Sequence, residues 1–445
     1  MADDPGQATA LSGSTALLTD HYELTMLAGA LRSGAAQRQA VFEVFARQLP
    51  HGRRYGVVAG TGRLLDALEA FRFGPDELAF LRETQVTDEA ALRYLESFAF
   101  TGDIWGYGEG DCYFPGSPIL VVEATFAEAV VLETLILSIL NHDCAIASAA
   151  SRMVTAADGR PLIEMGSRRT HEIAAVAAAR AAYIAGFATT SNLQAGRDYG
   201  VPTRGTSAHA FTLVHDSERD AFRAQLSTQG TGTTLLVDTF DVAGAVRDAV
   251  ELAGPGLGAV RVDSGDLAAT AWQVRALLDG LGAHKTRIVL TGDLDEHSIA
   301  ALATTPVDGY GVGTALVTGS GAPTAALVYK LVARAPGPGP GAALEPVAKR
   351  SVGKPSRGGR KWALRQLDGS GTAVAERVTL APPGPFPPGR PLLQPLVARG
   401  EIVGRPALEQ ARQRHRDALA ELPAHALQLS RGYPAIPTLM EADGS

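Results

Sequence analysis

TTLLVDTF (residues 233–240), AVRVDSGD (259–266), RIVLTGDL (287–294) and DGYGVGT (308–314) share one grammar. Each is a short apolar run that ends in a polar or glycine-containing segment, and LIEMG (162–166) opens the series. Helices are expected between them, at 171–186, 242–253, 267–281 and 295–303. Short strands that alternate with helices predict a parallel sheet with crossover helices. In a parallel barrel the strand ends converge on one face, where sites are built. Four polar strand ends are thereby brought to one place: Asp238 and Asp241; Arg261, Asp263, Ser264, Gly265 and Asp266; Thr291, Gly292 and Asp293; Gly311, Gly313 and Thr314.

Carboxylates on adjacent strands hold ribose hydroxyls or a hydrated Mg²⁺. A Gly-x-Gly-Thr turn before a helix cradles a phosphate with its amides and hydroxyl. Arg261 is suited to bidentate pairing with a carboxylate or phosphate. Any one such turn is more often an ordinary cap or tight turn; four together point to a site. Working outward, Leu162 to His209 adds a double arginine (Arg168, Arg169), an Ala-rich helix, the small polar turn Thr189-Thr190-Ser191-Asn192, and a Gly-Thr-Ser-Ala turn that closes on His209. Arginines beside small hydroxyl residues suit an anion, and a histidine there exchanges protons or accepts a phosphoryl group. The stretch reads as a site for a phosphorylated substrate.

The flanks read differently. Residues 16–31 predict a helix capped by Thr19 or Asp20, with Glu23 placed as in a capping box and Tyr22 in the first turn. Val41 to Phe45 is an expected strand, 75–98 two short helices, 102–126 a set of antiparallel strands, and Ala127 to Leu140 a helix. The Gly/Pro-rich 333–346 reads as a linker or hairpin tip, the basic segment after it as two strands around a turn, and 407–422 as a surface helix. A net charge of −7 argues against nucleic-acid or membrane-surface binding. Two cysteines, Cys112 and Cys144, exclude a disulfide framework or a Cys-rich zinc module. The polar, acidic N-terminus reads as a frayed tail rather than a signal peptide, and the expectation is a soluble, cytoplasmic protein. No HExxH, GxSxG, Walker or GxGxxG motif is present, so no protein-caged metal is expected.

These motifs together resemble the nicotinate phosphoribosyltransferase family. The resemblance rests on TDHYELTM (19–26), EMGSRRTH (164–171), GFATTSN (186–192), PTRGTSAHAF (202–211), VRVDSGDL (260–267), GYGVGTALVTG (309–319) and KRSVGKPSRGGRKWALR (349–365), in order along the chain. It implies a type II phosphoribosyltransferase fold. That is α/β: an irregular α/β barrel (141–335) plus an α/β sandwich domain built from an N-terminal part (1–140) and a returning C-terminal segment (336–445). It implies ATP-coupled condensation of nicotinate with 5-phosphoribosyl 1-diphosphate, giving nicotinate mononucleotide and diphosphate, by a homodimer with shared active sites. The resemblance casts His209 as the residue phosphorylated from ATP, Arg261 as the partner of nicotinate's carboxylate, and Asp263 as orienting ribose or metal. It casts Tyr22 against the pyridine ring, Thr206 beside it, Arg168 on nicotinate or phosphate, and Gly313 with Thr314 on the ribose 5-phosphate. Ser191 and Asn192 line the same mouth, and Mg²⁺ is expected on the substrate diphosphate.

The sequence departs from the family pattern at Met165, where phenylalanine is usual, at Thr170-His171, and at Ala188-Thr189. Three rival readings remain. A nicotinamide phosphoribosyltransferase shares Arg261 and the histidine turn. A quinolinate enzyme needs more cations for two carboxylates. A non-catalytic phosphate-binding homologue is opposed by the intact His209, Arg261 and Thr314.

Overall fold

A computed structural model describes residues 13–339, 342–349, 357–384, 389–405 and 407–441. The frayed tail expected at the N-terminus and most of the basic turn at 350–356 lie outside the described residues. The chain forms two compact units: residues up to Ser148 together with those from Ala322 onward, and Ala149–Gly321.

The first unit is built on a seven-stranded antiparallel sheet. Its order is Glu345–Pro346, Leu327–Arg334, Gln39–Ala46, Leu120–Thr125, Asp103–Tyr107, Leu393–Ala398 and Glu401–Ile402. Gln39–Ala46 is buried from Ala40 to Ala46, as a central strand covered on both faces must be. Its one carboxylate, Glu43, receives both 2.8 Å contacts of Lys361 Nζ, so the buried charge is matched. A second sheet of Arg390–Pro391, Trp362–Leu367, Ala373–Thr379 and Thr438–Met440 comes wholly from the C-terminal segment.

Four sequence expectations are corrected here. Leu327–Arg334 pairs with Gln39–Ala46, so a barrel boundary at 335 falls too late. The helix expected at 127–140 is Phe126–Val130 followed by Glu133–Ala157, which continues because Asn141 and Asp143 find distant partners. The strands flanking the basic turn, Glu345–Pro346 and Trp362–Leu367, belong to different sheets. Asp20 is the N-cap of helix His21–Ser33 but makes no side-chain cap bond, and Glu23 instead accepts from Thr134 N at 2.9 Å.

The second unit carries a six-stranded, all-parallel sheet in the order Thr189–Thr190, Leu162–Glu164, Gly309–Val312, Arg287–Leu290, Ala259–Val262, Thr234–Leu236. It is a curled half-barrel whose edge strands do not pair with each other. Helices Glu172–Ile184, Leu193–Tyr199, Glu218–Gln229, Val242–Ala253 and Leu267–Gly280 connect the strands. The strands are only two to four residues long, so each strand end is reached at once and the polar segments cluster. No described helix is long and apolar enough to cross a membrane.

Candidate active site

The strand ends of the second unit enclose a cavity of about 620 Å³. This lies within the roughly 300–1,000 Å³ typical of small-molecule sites. Of the sequence candidates, Arg168, Ser191, Thr206, Arg261, Asp263, Gly313 and Thr314 line it, joined by Met165, Ser167, Arg169, Thr291 and Asp293. They come from five separate strand ends and from the 205–208 turn.

Two kinds of aspartate occupy these ends. Asp241 and Asp266 each accept a backbone amide three residues on, from Gly244 (2.8 Å) and Ala269 (3.0 Å), and so serve as helix N-caps. They are not site carboxylates. Asp238 and Asp263, three residues earlier in each case, face the other way. Asp238 Oδ2 accepts from the Asp263 amide (2.8 Å) and the Ser264 hydroxyl (2.6 Å), while Oδ1 lies 3.1 Å from His209 Nε2. Burial acts to raise the Asp238 carboxyl pKa, but the Ser264, Asp263 and His209 hydrogen bonds outweigh it and hold it below the ordinary value. Asp263 is fixed in turn by the Thr291 hydroxyl, which donates to its Oδ1.

Arg261 projects from strand Ala259–Val262. Its Nη1 donates to Thr206 Oγ1 at 2.5 Å and to the Ser207 carbonyl at 3.2 Å, and Nη2 lies 3.9 Å from Asp263. Its Nε is buried with no hydrogen-bond partner among the described residues. Burial pulls the guanidinium pKa down, opposed by Asp263 and Asp238 and reinforced by Arg168. The half-buried guanidinium, with 12% of the side chain exposed at the cavity wall, is suited to an anionic ligand atom. The wall as a whole carries three arginines (Arg168, Arg169, Arg261) against two aspartates (Asp263, Asp293).

On the opposite side, Asn192 Nδ2 donates to Ser167 Oγ (3.0 Å) and ties the Ser191-Asn192 turn to the arginine turn. Gly166 must be glycine: a Cβ there would stand 2.2 Å from Val317 Cγ1 and 3.0 Å from the Gly313 carbonyl. Gly313 and Thr314 close that side, with Thr314 opening the one-turn helix Thr314–Val317.

The family model for the nicotinate phosphoribosyltransferase N-terminal domain matches residues 17–141. The chain is 61% identical over 432 residues to nicotinate phosphoribosyltransferase pncB1 of Mycobacterium tuberculosis, covering 95% of this chain and 94% of that protein. It is 42% identical over 430 residues to pncB2 of the same organism, covering 94% and 90%. The crystal structure of human nicotinic acid phosphoribosyltransferase superposes with a TM-score of 0.80 at 25% identity, covering 95% of this chain and 97% of the human one. The chain belongs to the nicotinate phosphoribosyltransferase family.

Three residues that the family resemblance singled out do not line the cavity. His209, at the start of helix His209–Leu213, reaches the site through Asp238. Asn192 acts on its neighbour Ser167. Tyr22 belongs to the other unit, half-exposed in the first turn of His21–Ser33; burial and then Glu133 raise its hydroxyl pKa to about 12. The buried Glu164, which opens the EMGSRRTH motif, was given no role by the sequence reading.

Proposed function

We propose that this protein joins nicotinate to 5-phosphoribosyl 1-diphosphate, forming nicotinate mononucleotide and diphosphate in NAD salvage. The observation that carries the reading is the Arg261 side chain. It is a half-buried guanidinium in the cavity wall of a chain from this family, held by Thr206 and Ser207 through Nη1.

Arg261 pairs with the pyridine carboxylate and Thr206 holds the guanidinium in place. Gly313 and Thr314 take the ribose 5-phosphate on backbone amides and hydroxyl. Arg168 contacts nicotinate or phosphate, Ser191 and Asn192 shape the mouth, and Asp263 orients the ribose. As the C1–diphosphate bond breaks, positive charge develops on the ribose and negative charge on the leaving group. Magnesium, when bound, neutralises the leaving diphosphate. Asp263 and Asp293 are the cavity carboxylates that would help to hold a magnesium ion brought in with the diphosphate.

His209 takes a phosphoryl group from ATP. Nε2 faces the Asp238 carboxylate and donates to it, which fixes the tautomer and leaves Nδ1 as the nitrogen free to react. Tyr22, exposed on its own unit, stacks on the pyridine ring of a site in a second copy of the chain, which makes the working form a cytoplasmic homodimer with shared sites. The test compares turnover of nicotinate and nicotinamide by the purified protein, each with and without ATP. Nicotinate turnover that ATP stimulates supports the reading, and preferential use of nicotinamide contradicts it.

A further inference from the structure

Glu164 ends strand Leu162–Glu164, is fully buried and does not line the cavity. Its main chain pairs with Val312 on one side and Thr190 on the other. Its carboxylate accepts the Gly166 amide through Oε1 and the Thr190 hydroxyl through Oε2, and its carbonyl accepts the Ser191 amide at 2.8 Å. Each of these bonds leads to a cavity wall. Gly166 begins the turn that carries Arg168, closed by Arg169 N donating to the Gly166 carbonyl at 2.8 Å. Thr190 Oγ1 in turn accepts the Asn192 amide at 2.9 Å.

We propose that Glu164 is a positioning residue that locks the Arg168–Arg169 turn and the Ser191–Asn192 turn to each other from behind the cavity wall. A buried carboxylate is costly unless its hydrogen bonds are made. Both oxygens here are spent on the two turns, and no ion pair to the group is found among the described residues. Burial raises its pKa, and the Thr190 and Gly166 bonds work against that rise. The two walls are therefore not independent loops: the Glu164 side chain links them from behind, as the Asn192–Ser167 bond does at the mouth. The consequence for the reaction rests on the proposed function, because those walls hold Arg168 and Ser191.

The test uses the full chain with Glu164→Gln, Glu164→Ala and Thr190→Val. Glutamine keeps one oxygen for Gly166 but presents an amide donor to Thr190. In Glu164→Gln and in Thr190→Val, hydrogen exchange is expected to accelerate at the 190–192 amides. In Glu164→Ala it accelerates at Gly166 as well, while the distant strand Ala259–Val262 keeps its protection. KM for nicotinate and for the sugar diphosphate rises about tenfold in Glu164→Gln, with the melting temperature within about 3 °C of wild type. Unchanged exchange at both turns, or KM changes that merely track lost melting temperature, overturns the proposal. Wild-type protein that makes no mononucleotide refutes the reaction, and the exchange measurements still decide the lock. Should Glu164→Ala fail to fold, Thr190→Val carries the same test.

Discussion

Replacing Asp238 by asparagine should separate His209, the residue proposed to take a phosphoryl group from ATP, from the transfer cavity. The Asp238 side chain is only 3% exposed and has two working edges. Oδ2 holds the Asp263 amide and the Ser264 hydroxyl; Oδ1 lies 3.1 Å from His209 Nε2. An asparagine keeps its single oxygen for the paired donors, so Asp263 stays in place, and turns its NH₂ toward His209. The imidazole then loses a charge-assisted bond worth about 1.5–3 kcal/mol. At about 1.4 kcal/mol per factor of ten, this is roughly a 10- to 150-fold loss. Mononucleotide formation should be measured with and without ATP, together with acid-labile phosphate on the protein. Phosphorylation and the ATP-stimulated rate should fall by that factor, with ATP-independent transfer within about threefold of wild type. Equal loss of both rates, or an unchanged stimulated rate, refutes the reasoning.

Further outcomes follow from other residues. His209→Ala should abolish ATP stimulation while slow ATP-independent transfer persists; full ATP coupling in that variant, read by ADP release per mononucleotide, removes His209 from its role. Arg261→Lys keeps the charge but replaces the planar guanidinium by one ammonium, which cannot both keep the Nη1 bonds to Thr206 and Ser207 and present a second nitrogen to the ligand. The KM for nicotinate should therefore rise about 10- to 100-fold, which initial-rate measurements at saturating sugar diphosphate will show. His415 is buried against the Gly110 carbonyl, and burial lowers its pKa to about 4 from an ordinary 6.5. Below pH 6.5 the unfolded chain takes up a proton that the folded chain refuses. Stability therefore falls as pH drops from 6.5 to 4, by about 3 kcal/mol from this group. Melting curves of His415→Gln across that range should show a flatter acid limb.

Much of this site was legible before the structure. The strand–polar-turn repeats predicted five of the six parallel strands, and seven of the ten candidate residues line one cavity (Arg168, Ser191, Thr206, Arg261, Asp263, Gly313 and Thr314). What was illegible is long-range. Asp238 and Asp241, like Asp263 and Asp266, look alike in sequence; only the fold separates a cap, which sits immediately before its helix, from a site carboxylate three residues earlier. The helix Glu133–Ala157 outran its apolar pattern because Asn141 bonds the Leu327 amide and Asp143 pairs with Arg63, partners far away in the chain. Glu164 was passed over for the same reason, since its partner Thr190 is 26 residues distant. The C-terminal strands Ala373–Thr379 and Leu393–Ala398 lie between Gly/Pro-rich segments that masked their pattern.

The central claim is that one cavity, anchored by Arg261, joins nicotinate to the sugar diphosphate. Its most direct test is to incubate the purified protein with both substrates and Mg²⁺ and to quantify the two products. The account predicts nicotinate mononucleotide and diphosphate in equal amounts, with the yield strongly reduced in Arg261→Ala. No mononucleotide from the wild-type protein, or an undiminished yield from Arg261→Ala, would contradict it.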